Sequence, residues 1–164
     1  MSAKKEFVTA MKWGQGQDDI STEGRARLFT GKSRELLLNK FLKELEEGTK
    51  SKSIQHHLIL GIRGIGKSFF LSRLYDKVIE GAAGNAWVPI KTRENEDQVT
   101  SAQAFMKMLI QYLKETPLGE ASEDPDAVYA TDDEHREVHL AMERLDVLCA
   151  KKKKKILLLL NNFD

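Results

Sequence analysis

Apolar residues recur at helical spacing in four stretches of this chain and run together in three shorter ones. Leu36, Leu37, Phe41, Leu42 and Leu45 form a stripe that predicts a helix from Ser33 to about Glu47. Phe69, Phe70, Leu71, Leu74 and Val78 predict a second, from Lys67 to about Glu80, stopped by Gly81-Ala82-Ala83-Gly84-Asn85. Ala104, Phe105, Met108, Leu109 and Leu113 predict a third over Ser101–Lys114, capped by Thr100 or Ser101. Glu134 to about Ala150 reads as a fourth. The short runs predict strands at His57–Leu60, Ala86–Lys91 and Ile156–Leu160. Pro89 favours the end of the second strand or a sheet edge, and the third has the pattern of a buried strand. Strands alternating with helices predict an α/β fold with parallel strands.

The stretches between these elements set the boundaries. Residues 1–24 are polar and glycine-dotted and read as an irregular arm. Leu28-Phe29-Thr30-Gly31 is a short extended entry to a single domain over 25–164. Residues 115–133 form an acidic, turn-rich loop with Pro125 in its middle, longer than a compact domain usually carries.

Composition narrows the class without naming a partner. The chain has 164 residues, with 26 basic and 25 acidic ones, so a net charge of +1 favours neither nucleic acid nor a membrane surface. Its single cysteine, Cys149, excludes an internal disulfide and has no metal-ligand spacing; its place on a helix's apolar face predicts a core side chain. Residues 1–17 lack the apolar segment of a secretory signal, and Ile156–Leu160 is too short to span a bilayer, so a cytoplasmic protein is expected.

The chemistry concentrates at Gly61-Ile62-Arg63-Gly64-Ile65-Gly66-Lys67-Ser68, which fits G-x-x-x-x-G-K-S/T between an apolar strand and a helix. Glycines at 61, 64 and 66 let the backbone turn so that successive N–H groups face phosphate oxygens. The helix starting near Lys67 adds its positive dipole end to the same anion. Lys67 is expected to reach the β- and γ-phosphates, and the Ser68 hydroxyl to ligate Mg²⁺. Phe69 closes the set of residues expected to bind the nucleotide. A glycine turn that merely carries Lys-Ser is the alternative, and the flanking strand and helix weigh against it.

Phosphate-loop enzymes carry a later apolar strand ending in an acid that holds Mg²⁺, often with a second acid beside it. Here the strand ends Asn161-Asn162-Phe163-Asp164. An amide is an uncharged ligand and cannot act as a general base. Two readings stand: Asn161 occupies the magnesium acid's position in a site that binds nucleotide and hydrolyses it poorly, or this is an ordinary core strand.

The blocks Leu28-Phe29-Thr30-Gly31-Lys32-Ser33-Arg34-Glu35, Gly61 to Ser68, and Leu157 to Asp164 resemble an AAA+-related signalling ATPase of the STAND type, and the archaeal and origin-recognition ATPases near it. Such proteins show F-x-G-R-x-x-E, G-x-R-G-x-G-K-S/T and an apolar strand ending in Asp. The resemblance implies a three-layer α/β/α P-loop core, ATP and Mg²⁺ as ligands, and residues 28–31 lining the adenine pocket. Lys32 departs from the usual Arg, and Asn161 from the usual acid. It also implies a further strand between the phosphate-loop strand and the acid-bearing strand, later in sequence than Asp164. A truncated domain, or one completed by a protein partner or a second copy, is therefore expected. The functional expectation is Mg-ATP binding with weak or absent hydrolysis. A DNA-associated loader or transposition helper and a degenerate interaction module are the alternatives.

Other clusters have bland readings that outweigh the functional ones. Lys151–Lys155 fits a solvated turn, or a guard against aggregation of the strand it precedes, better than a nucleic-acid patch. His56 and His57 have no third ligand in view. His135 and His139 share a helical face at a spacing open to metal, but without the inner Glu of a zinc helix.

Overall fold

In the computed structural model the described residues are 20–50, 56–92, 101–114, 116, 118 and 134–161, with side chains from 138 onward in the last segment. They form an α/β arrangement of five helices around a small parallel sheet. In chain order these are α1 (Thr22–Leu28), α2 (Lys32–Gly48), α3 (Lys67–Glu80), a 3₁₀ turn (Ala82–Asn85), β1 (Trp87–Lys91), α4 (Ala102–Lys114), α5 (Glu134–Lys152) and β2 (Lys155–Leu159). β1 and β2 pair in parallel, Trp87 opposite Lys155 and Lys91 opposite Leu159.

The two strands divide their side chains between two apolar clusters, as alternation across a pleat requires. Val88, Ile90 and Ile156 pack with Met106, Leu109 and Leu113 of α4 and Ala141 of α5. Trp87, Leu157 and Leu159 pack with Phe29, Leu38 of α2, and Phe70, Leu74 and Val78 of α3. Helices therefore cover both faces of the sheet. Burying a side chain such as Leu74 or Val78 contributes about 1.5–3 kcal/mol, more than any one cap or surface ion pair here.

Backbone hydrogen bonds join the two strands at Ala86 O, which accepts from Lys155 N at 2.7 Å, and at Thr92 N, which donates to Leu159 O at 3.1 Å. Both are even positions, so the odd positions of β1 turn their backbone groups away from β2. Pro89, which has no N–H to give, falls on the outward side. The proline is tolerated as the sequence pattern expects.

Several elements differ from expectation. Residues 56–60 carry no regular secondary structure, and among the described residues no strand pairs with them. Leu58 and Leu60 are 82% and 81% exposed, whereas Ile59 packs against the Phe70 cluster. The apolar run 58–60 has strand composition but no neighbouring ladder to join, and a strand exists only through its pairing. Helix α1 starts at Thr22, inside the expected arm, and includes Leu28; Ser21 caps it by accepting from Gly24 N at 3.1 Å. The inward face of α2 runs through Leu38, Phe41, Leu42 and Leu45, while Leu36 and Leu37 are exposed. Leu36 and Leu37 stand outside the face of α2 that packs in the Phe70 cluster. β2 is less buried than its composition implies: Leu159 is buried, but Leu158 is 37% exposed. No strand flanks its second edge among the described residues.

One charged contact ties α1 to α3, and a second lies within α3. Arg25 of α1 donates to both carboxylate oxygens of Asp76 on α3, at 2.7 and 2.6 Å, in a largely buried setting. Arg73, also buried, sends Nη1 to 3.9 Å from Asp76 and 3.9 Å from Glu80. Trp87 Nε1 donates to Leu45 O at 2.9 Å, joining β1 to α2.

Candidate functional site

The loop after residue 60 owes its path to two left-handed glycines. Gly64 has φ +82° and Gly66 φ +93°, conformations that L side chains rarely adopt. Gly66 is the cap residue from which α3 begins at Lys67, and Phe70 N donates back to Gly66 O at 2.9 Å. Gly61 serves differently from the sequence expectation: its φ is ordinary, but a Cβ would stand 3.0 Å from Ile65 Cγ2. Its role is close approach, not a special dihedral.

The side chains of the loop then fall into place. Lys67 Nζ donates to Gly61 O at 2.8 Å and Ile62 O at 3.2 Å, folding back across the loop mouth. Ile62 and Arg63 are exposed at the turn, and Ile65 is 48% exposed. Arg63 has no hydrogen bond or ion pair among the described residues. Phe69 turns inward and stacks on Phe29 with ring centroids 6.3 Å apart, while Phe29 also meets Phe70 at 6.1 Å. Phe29, in the stretch that the resemblance assigns to an adenine pocket, is thus a buried core ring behind the loop.

Ser68 Oγ donates to Asn161 Oδ1 at 2.9 Å, across a sequence separation of 93 residues. Asn161 is placed two residues past the end of β2, where its backbone N–H donates to Thr92 Oγ1 at 3.0 Å. Thr92 is buried and follows β1. The carboxyl ends of both strands and the amino end of α3 therefore meet at one point, an arrangement in which open parallel sheets hold ligands. Below it, Ser72 Oγ donates to Ser68 O at 3.1 Å and accepts from Lys91 Nζ at 3.0 Å. Sequence reasoning overlooked Thr92 and Lys91. Only the end of a correctly placed strand could have drawn attention to them. Asn162 lies outside the described residues.

The lysine run is split by the fold. Lys154 Nζ donates to Gly84 O at 3.1 Å and Asn85 O at 2.7 Å, and Lys155 Nζ to Gly48 O at 2.6 Å while lying over Trp87. Lys151, Lys152 and Lys153 are exposed. Two of the five are thus bound to backbone carbonyls at the ends of other elements. His57 packs edge-on against Phe41 and lies 3.4 Å from Glu44, and His139 lies 3.7 Å from Glu143. The side chain of His135 lies outside the described residues. Among the described residues no group of three or more His, Cys, Asp or Glu could hold a metal ion, and no helix is long and apolar enough to cross a membrane. Cys149 sits at the rim of the Leu109 cluster, where burial first and the Asp146 charge second push its thiol pKa up.

No protein-family model, curated protein or solved structure matches this chain significantly.

Proposed function

We propose that the chain binds a nucleoside triphosphate, with ATP as the expected nucleotide, through the loop 61–68 of a three-layer P-loop core. One observation carries the reading: the Ser68 hydroxyl, at the amino end of the helix after a left-handed glycine loop, is hydrogen-bonded to Asn161 from 93 residues away. A random glycine turn with Lys-Ser has no reason to meet the tip of a parallel strand. Donating to Asn161 leaves the lone pairs of Ser68 Oγ available. Two neutral oxygens side by side suit a hard cation, so Mg²⁺ would be held by Ser68 and Asn161. When bound, Mg²⁺ neutralises phosphate charge.

The chain's own residues do the rest. Loop N–H groups and the α3 amino end receive the phosphates, and Lys67 exchanges its carbonyl partners for phosphate oxygens. Hydrolysis to ADP and phosphate would be slow, because Asn161 and Asn162 stand where the acid that holds Mg²⁺ and the acid that polarises the attacking water are usual, and an amide can be neither a charged ligand nor a general base. A switch or scaffold fits this chemistry better than a fast motor. The DNA-associated alternative is weakened by the inward use of Lys154 and Lys155.

Equilibrium binding of a fluorescent ATP analogue, with and without Mg²⁺, tests the reading. Micromolar binding by the wild-type chain, lost or weakened at least about tenfold in Lys67→Ala, is the expected result, a loss of about 1.4 kcal/mol. Equal binding by the two chains would remove the loop from the function.

A further inference from the structure

A second cation leans over the loop from a different helix. Arg34, in the first turn of α2, sends Nη2 to Ile65 O at 3.0 Å. Its guanidinium atoms Nη2 and Cζ lie 3.8 and 3.9 Å from where a Cβ on Gly66 would stand. The side chain is exposed, and this bond is its one polar contact among the described residues, with no carboxylate paired to it. Most of the five donors of the guanidinium are therefore unengaged.

Lys67 and Arg34 share a peculiarity. Each cation rests on carbonyl oxygens of the same short loop, Lys67 on Gly61 and Ile62 and Arg34 on Ile65. A carbonyl is a weaker partner than an anionic oxygen, for which charge-assisted bonds are about twice as strong. Arg63 stands exposed on the same turn. The chain as a whole is near neutral, yet this loop gathers three cations with no acid paired to them among the described residues. Such a grouping favours an incoming polyanion and disfavours its own empty state.

We infer that Arg34 is a phosphate-binding residue of the nucleotide site, a guanidinium fork that moves from Ile65 O onto the phosphate chain of a nucleoside polyphosphate. The inference rests on the nucleotide reading above. It assigns to α2 a direct part in ligand binding that the loop motif does not contain. Arg suits this better than Lys because its planar fork matches two phosphate oxygens at once.

The competing role for Arg34 is a tether that merely holds the loop through Ile65 O. Three variants of the full chain separate the two, read by titration with the fluorescent ATP analogue and displacement by inorganic tripolyphosphate. Arg34→Gln keeps a neutral donor for the carbonyl, Arg34→Lys keeps the charge, and Arg34→Ala keeps neither. Ala and Gln are expected to bind about tenfold more weakly, about 1.4 kcal/mol, with Lys recovering part of the loss and tripolyphosphate displacing the probe less well from Ala. Wild-type affinity in Arg34→Gln would assign the tether, and wild-type affinity in Arg34→Ala would leave Arg34 no role; either overturns the inference while Lys67→Ala still abolishes binding. If Lys67→Ala also binds like wild type, the nucleotide reading fails and this one with it.

Discussion

Asn161 accepts a hydrogen bond from Ser68 through a carbonyl oxygen that carries no charge. The position is geometrically fit to take a carboxylate, because Asp is nearly isosteric with Asn and its oxygen could accept the same bond. The electrostatic difference is large: a divalent cation beside a full negative charge gains several times what it gains from a dipole. Asn161→Asp is therefore expected to sharpen the Mg²⁺ dependence of ATP binding, lowering the Mg²⁺ concentration at half-effect by about tenfold, roughly 1.4 kcal/mol. A magnesium titration at fixed ATP analogue measures this, and an unchanged midpoint would mean that residue 161 does not face the metal. Cys149 makes the opposite point about single residues. It is a sulfur at the edge of a packed cluster, its thiol pKa raised by burial and by Asp146, and both influences disfavour a thiolate.

Among the elements, the end of α5 shows how a run of identical residues receives different tasks. Lys153 takes φ +52°, its N–H donates to Ala150 O at 3.2 Å, and Lys154 N donates to Cys149 O at 2.9 Å. This is the paired closure of a helix with a left-handed residue just past its end, a place that usually holds Gly. Lysine there bears a Cβ cost of about 1–2 kcal/mol, against about 0.5–1 kcal/mol of extra backbone entropy that Gly would lose on folding. Lys153→Gly should then raise stability by about 0.5–1 kcal/mol, while Lys152→Gly, one residue earlier and inside the helix, should lower it by about 1 kcal/mol. Urea denaturation of the two variants reads the change of sign directly, and a common sign would contradict the left-handed stop. None of this is visible in five consecutive lysines, because the task of each depends on which carbonyls the fold brings near. The helix over Lys67–Glu80, by contrast, was legible to the residue, since its glycine start, apolar spacing and glycine stop are all local signals. The segment 57–60 was not, because strand composition cannot say whether a neighbour will pair. Leu118 escaped for a related reason: it is 1% exposed, packed in the Leu109 cluster, yet it stands in a stretch whose acidic and turn-forming residues all read as surface. The partnership of Ser68 with Asn161 was foreseeable only through the motif chemistry, as no periodicity links residues so far apart.

At the scale of the whole molecule, β1 and β2 lie between the two apolar clusters and belong to both. Each strand gives alternate side chains to opposite sides, Val88, Ile90 and Ile156 to the α4–α5 cluster and Trp87, Leu157 and Leu159 to the α2–α3 cluster. A two-stranded sheet has little stability alone, so neither cluster can lose its packing without releasing strands that the other needs. The two halves should consequently unfold as one unit. Leu113→Ala in the first cluster and Leu74→Ala in the second, where these leucines are 3% and 2% exposed, should each cost about 2–5 kcal/mol. Trp87 reports on the second cluster by fluorescence, in a background where Trp13 is replaced by Phe, and ellipticity reports on all helices together. In Leu113→Ala the fluorescence midpoint of Trp87 should fall as far as the ellipticity midpoint, although residue 113 lies on the other side of the sheet. If the Trp87 transition stays in place while helicity is lost early, the clusters are separate units joined by a weak sheet, and the loop 61–68, which is built on the α3 side, would hold its shape without α4 and α5.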